Sequence, residues 1–194
     1  MKRSVRGVKS LVALLILFAG MTGMARAADL SQAVILVASE RLAGSLYEET
    51  VVLAAPLPQG GHMGFVVNRP TSVKLENVFP EQASTHNVVE PVYAGGPALS
   101  RGVFAVTRNA PANGDSVVPL MPGLVVAIDG DTVDRIIETT PNDARYFVGL
   151  MIWAPEELDE EIEQGAWNVR PADVDTVLRA GSPGLWKSLS GTRV

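Results

Sequence analysis

Cysteine is missing from all 194 residues. Its absence excludes disulfides, thiolate nucleophiles and cysteine-ligated zinc or iron–sulfur centres. It does not exclude an oxidising compartment, because a domain of this size buries enough surface to stand without cross-links. Histidine is scarce as well. His62 and His86 are the two in the chain, and neither belongs to an H-E-x-x-H pattern or a comparable metal-ligand spacing; turn or surface placement is expected for both. The serines lack a G-x-S-x-G elbow. Asp129-Gly130-Asp131 opens like a calcium loop, but Val133, Asp134 and Thr140 occupy positions that need a ligand, a glycine and a bidentate Glu. Aromatics make up 6% of the chain, so Val, Leu, Ile and Ala must fill most of the interior.

What is present is ample apolar material. Apolar residues are 47% and charged residues 19%, which suits one domain with a proper core and excludes a disordered chain. The N-terminus has the layout of a secretory signal: Lys2, Arg3, Arg6 and Lys9, then the apolar run 11–19, then Ala25-Arg26-Ala27 with small residues where a signal peptidase reads. Cleavage is expected after Ala27, giving a signal peptide at 1–27 and one domain at 28–194. The run is short for a membrane-spanning helix, so periplasmic release is expected over an inner-membrane anchor. Of the 16 basic residues, five lie in 1–27 and none of the 21 acidic ones do. The remainder, 11 against 21, carries a formal net charge of −10 and would repel a phosphate backbone. Neither nucleic acid nor, after cleavage, a membrane is expected as a partner.

The rest reads as strands punctuated by turns. Continuous or β-branched apolar runs at 33–38, 50–55, 62–68, 92–94, 103–107 and 145–153 predict strands, the second and third forming a hairpin. Val117 to Ile128 reads as two pieces split by Met121-Pro122-Gly123, and 109–115 as a loop. Thr71 or Ser72 is placed to cap a short helix, and 81–90 reads as a polar loop. Asp131 is placed to cap a helix carrying Val133, Ile136 and Ile137. Pro155 is placed to open an acidic helix with a narrow Leu158–Ile162 seam, its carboxylates facing water. A short strand at 166–169 and helices at 173–179 and 183–189 follow. Trp153 and Trp167 read as core residues.

Two turns stand out. Gly64-Phe65-Val66-Val67-Asn68-Arg69-Pro70 ends an apolar strand in a polar, basic triplet, and Tyr93-Ala94-Gly95-Gly96-Pro97 ends another in paired glycines, with Arg101-Gly102 just beyond. The first resembles the G-x-V-x-N-R-P signature of the AlgH-like family, the second its Y-x-G-G-P. Gly149 to Ile162 is similar to a further segment of that family, and Trp167 stands where it has a tryptophan. The resemblance implies an α+β fold, a compact single domain with a mostly antiparallel, barrel-like sheet flanked by helices. It implies no established enzyme activity, and no cofactor is expected. It also implies a suggested role in transcriptional control, which an exported copy cannot exercise by touching DNA.

These residues support two readings of the turns. In one, Asn68, Arg69 and Arg101 form an anion site against the Gly95-Gly96 backbone, since arginine presents a planar fork and paired glycines open main-chain N–H groups. In the other, Asn68 and Arg69 bond their own surroundings and the glycines serve tight turns. The favoured expectation is an exported, non-enzymatic binding or interaction module for a protein or a small anionic ligand. The alternatives are a periplasmic enzyme or anion-binding protein using Arg69 and Arg101, and a cytosolic regulator. Either way, the two turns should meet at one end of a shared sheet.

Overall fold

The computed structural model describes residues 29–108, 116–178 and 184–191. The expected export signal at 1–27, the loop at 109–115 and the ends of the last two expected helices, Arg179 and Pro183, lie outside them. Ten strands form: β1 (Val34–Ala38), β2 (Val51–Pro56), β3 (His62–Val66), β4 (Pro70–Lys74), β5 (Pro91–Ala94), β6 (Ala98–Thr107), β7 (Val117–Met121), β8 (Leu124–Ala127), β9 (Ala144–Trp153) and β10 (Trp167–Pro171). The helices are α1 (Leu75–Val78), α2 (Gly130–Thr139), α3 (Glu157–Glu163), α4 (Val174–Leu178) and α5 (Leu185–Ser190).

The strands run in the order β10-β1-β2-β3-β9-β6-β8-β7, antiparallel along that path, with β5 lying parallel to β9 and β4 antiparallel to β5. β9 is the pivot. Its first half pairs with β6 on one side and β5 on the other, and its last residues pair with β3. Gly149 sits at the change of partner with φ +68, a conformation that a side chain would strain.

The sheet is curled. One face gathers a single apolar cluster from strands as far apart as β1 and β8, including Ile35, Leu53, Phe65, Phe104, Leu124 and Phe147, and α4 and α5 close onto it with Val177 and Leu185. Only a concave face brings residues of so many strands together. The outer face splits into two patches. Leu36, Val52, Trp153 and Trp167 lie under Leu158 of α3, while Ala105, Ala127 and Tyr146 lie under Val133, Ile136 and Ile137 of α2. This is the single-domain α+β fold with a mostly antiparallel, curled sheet flanked by helices that the family resemblance implies, the sheet forming a half-barrel with helices on both faces.

Several local expectations are corrected. Pro70 to Lys74 is a strand, not the lead into a capped helix; Thr71 Oγ1 donates to Val92 O across the β4–β5 pair, and the cap position of α1 falls to Lys74, whose side chain has no acceptor to offer. The polar stretch after α1 contains a 3-10 turn over Ala83–Asn87. Asp129, not Asp131, caps α2, accepting from Thr132 N at 3.1 Å. The Thr132 hydrogen bonds hold the Asp129 carboxyl below its usual range. That contribution is therefore in place at neutral pH and is lost as pH falls through the lowered value. Pro155 precedes α3 rather than opening it, and Glu156 takes the cap position at φ +72.

Candidate functional site

The two signature turns do meet. Ala94 N donates to Arg69 O at 3.0 Å, and Val66 N donates to Gly95 O at 2.9 Å. What they build, however, is internal. Asn68 Oδ1 accepts from Val51 N and its Nδ2 donates to Glu49 O, each at 2.8 Å. Arg69 donates to Leu46 O through Nη1 and to Glu48 O at 3.0 Å through Nη2. Three carbonyls of one loop are thus gripped by two adjacent side chains, and Glu49 is held at φ +54. Removing the Asn68 amide leaves the fully buried Val51 without its hydrogen-bond acceptor. Asn68→Ala is therefore expected to cost about 1–2 kcal/mol in urea unfolding while leaving ligand binding elsewhere intact.

The glycines pack closely against β9. Gly95 N donates to Val148 O, so that amide is committed to β9. A Cβ on Gly95 would stand 2.2 Å from Gly149 O, and one on Gly96 would stand 2.3 Å from the Leu150 carbonyl carbon. Arg101 is not brought to this place. It is exposed within the part of β6, between Ala98 and Val103, where pairing with β9 shifts register, and no described hydrogen bond or cleft joins it to Arg69. Arg69 does line a cleft of about 320 Å³ with Asn68, Trp186 and Lys187, but Glu48 and Glu49 line it too.

Two polar clusters escape a reading of the sequence. The first is Arg145, which opens the longest apolar strand and is 2% exposed. Its guanidinium donates to Val177 O at 2.7 Å, to Val67 O at 3.2 Å and to Glu90 Oε2 at 3.2 Å, and lies 4.4 Å from the Tyr93 ring centre. One side chain thereby ties α4, the end of β3 and the approach to β5 onto β9. The second is Glu161, which turns inward from the acidic helix, contrary to the expected solvated face. Its Oε2 accepts from Trp153 Nε1 at 3.0 Å and from Trp167 Nε1 at 2.6 Å. Glu161→Ala strands two indole donors and is expected to cost about 2 kcal/mol, read by urea unfolding alongside a shift in tryptophan emission.

The histidines divide. His62 is buried, against expectation, and its Nε2 pairs with Leu30 O at 3.0 Å, fixing the segment before β1. His86 is exposed beside Glu76. Among the described residues no group of three His, Asp or Glu gathers to hold a metal, and no helix is long and apolar enough to cross a membrane.

A cleft with a mostly apolar lining lies elsewhere, at the seam of the half-barrel. β10 and β7 are the two ends of the strand order, and both border one cleft of about 860 Å³. Val34, Leu120, Met121 and Val169 face it together with Pro56, Pro119, Pro122 and Pro171, and Asp29, Ser31, Gln32 and Arg170 supply polar groups. Its size is that of a small-molecule site, and an apolar lining with a few polar groups is the usual composition of one.

Comparison with known proteins places this architecture. The AlgH-like family model matches residues 35–192. A UPF0301 protein of Chlorobium limicola is 28% identical over 158 residues, covering 78% of this chain and 81% of its own. One of Parabacteroides distasonis is 30% identical over 163 residues, covering 80% and 79%. Among solved structures, the AlgH protein of Pseudomonas aeruginosa shares the fold with a TM-score of 0.68 at 24% identity, over 83% of this chain and 89% of that one. A protein of Corynebacterium diphtheriae superimposes with a TM-score of 0.67 at 27% identity, over 84% and 86%.

Proposed function

The chain belongs to the AlgH-like family, and from that premise we propose that it is an exported binding module whose ligand surface is the seam cleft. The observation that carries the reading is the meeting of the two sheet edges around one apolar cleft of about 860 Å³. The signature turns carry less of it, because their polar groups are engaged with their own loop and their glycines with β9.

Periplasmic export rests on the basic, apolar and small-residue succession of 1–27. The net charge of −10 left after cleavage supports a partner other than nucleic acid.

The test of the cleft is a titration with anilinonaphthalene sulfonate, whose emission rises on entering an apolar site. Saturable binding at one dye per chain is expected, weakened at least tenfold by Met121→Lys. A dye that does not bind, or binds Met121→Lys equally well, contradicts the reading. Export is tested by fusing alkaline phosphatase after about residue 40: phosphatase activity is expected, and its absence contradicts export. A second reading keeps an anion at Arg69, favoured by the cleft that Arg69 shares with Lys187 and Trp186. It requires a thermal shift with small anions that Arg69→Ala abolishes.

A further inference from the structure

The strand edges at the seam offer little to an extended peptide. In an antiparallel pair, alternate residues direct N–H and C=O toward the partner and the others direct theirs away. Ser39 N donates to Ala166 O, and these two residues are directly opposite in the β1–β10 register. Trp167, Val169 and Pro171 therefore face the free edge of β10. On β7, Ile128 N donates to Ser116 O, again between opposite residues, so Val117 and Pro119 face outward. A proline thus stands outward on each edge where it borders the cleft. Neither has an N–H to donate, and proline at such positions interrupts strand addition.

The charged groups of the lining offer as little to an ion. They are Arg170 and Asp29, one of each sign, so they sum to zero. Neither is free. Arg170 donates to Leu189 O of α5 at 3.5 Å. The Asp29 carboxylate accepts from Ser31 N, Ser31 Oγ and Gln32 Nε2, so the polar side chains of the rim bond to one another. An ion entering the cleft would give up hydration without finding an unengaged counter-charge, which is unfavourable.

What remains is the apolar surface of Val34, Leu120, Met121 and Val169 with the prolines beside them. A ligand held by that surface needs neither a main-chain partner nor a counter-ion. We infer that the seam cleft takes an uncharged lipid, a hydrocarbon body whose polar group carries no charge. This inference rests on the seam cleft being the ligand surface.

The experiment uses the protein expressed from its full-length sequence and two dyes that share one apolar body, anilinonaphthalene sulfonate and its neutral parent phenylnaphthylamine. The neutral dye should bind about tenfold more tightly, since it has no ionic group to dehydrate. It is then displaced with dodecanol, dodecanoate and dodecylammonium at about pH 8, where the acid and the amine are both charged. The alcohol should displace about tenfold more tightly than either ion. It should also displace about fifteenfold more tightly than decanol, at about fourfold per buried methylene. An extended valine-rich peptide should not displace the dye. Met121→Glu puts a charge at a half-buried position of the lining and should abolish binding of the neutral dye with the melting temperature kept.

Neutral dye that binds the parent but is displaced by the acid or the amine as tightly as by the alcohol, or is displaced by the peptide, overturns the uncharged-lipid inference and leaves the cleft reading standing. If neither dye binds, or if Met121→Glu binds the neutral dye as the parent does, both fall.

Discussion

Replacing Arg145 with methionine is expected to lower the free energy of unfolding by about 3–5 kcal/mol, the scale for removing one partner of a buried ion pair. Methionine fills similar volume, so the loss is not a cavity effect. It comes from the groups left behind. Val67 O and Val177 O lose a donor inside the core, and Glu90 loses its ion pair while its side chain is 29% exposed. The face of Tyr93 loses its cation as well. Glu90→Gln should cost less, about 1–2 kcal/mol, because the Gln amide oxygen can still accept from Arg145 Nε and the Val67 and Val177 carbonyls still hold the guanidinium. Urea unfolding of both variants checks this. Equal losses, or an Arg145→Met protein as stable as the parent, would show that the guanidinium does not tie these elements together.

The second large effect is expected at Gly96. An alanine there would put a methyl carbon 2.3 Å from the Leu150 carbonyl carbon and 2.6 Å from Met151 N. Both are main-chain atoms of β9, the strand that joins the two halves of the sheet, so neither can turn aside as a side chain would. The turn must lift off β9, and with it the neighbouring bonds from Gly95 N to Val148 O and from Val66 N to Gly95 O. A loss of about 3 kcal/mol is expected, at the upper end for overpacking. Gly123→Ala is the control. It too replaces a turn glycine, at φ +78, but its added methyl would meet open space, so about 1 kcal/mol from backbone strain is expected. Similar losses at the two positions would mean that close approach to β9 is not what the glycine provides.

Much of the fold is legible in the residues because the strands are apolar runs bounded by turn chemistry. β1, β2, β3 and β9 are recognisable from their own composition, and the Val133, Ile136 and Ile137 spacing marks α2. The errors fall where tertiary contacts override local signals. Pro70 to Lys74 carries helix-cap residues, but pairing with β5 claims its hydrogen bonds and makes it a strand. His62 looks like a turn residue and is buried because β9 and the Leu30 carbonyl cover it.

The candidate site was legible in a different sense. The meeting of the Asn68–Pro70 and Gly95–Pro97 turns follows from their punctuation, but what the groups are used for does not. An arginine that grips loop carbonyls and one that grips a ligand have the same sequence. Arg145 offered one signal, a charge at the head of the longest apolar strand. Glu161 offered none, since its neighbours in α3 are also acidic and only Trp153 and Trp167 single it out. The seam cleft depends on two edges 46 or more residues apart in the chain, Met121 and Trp167, and curling of the sheet brings them to one place. Its mark in the sequence is the pair Pro119 and Pro171 within otherwise extended stretches.

The most direct test of where this protein binds is an amide NMR titration with anilinonaphthalene sulfonate, which is both apolar and anionic and so is free to choose either region. Shift changes concentrated at Val34, Leu120, Met121 and Val169 are predicted. Changes concentrated instead at Asn68, Arg69, Gly95 and Lys187 would move the ligand surface to the signature turns and contradict the account.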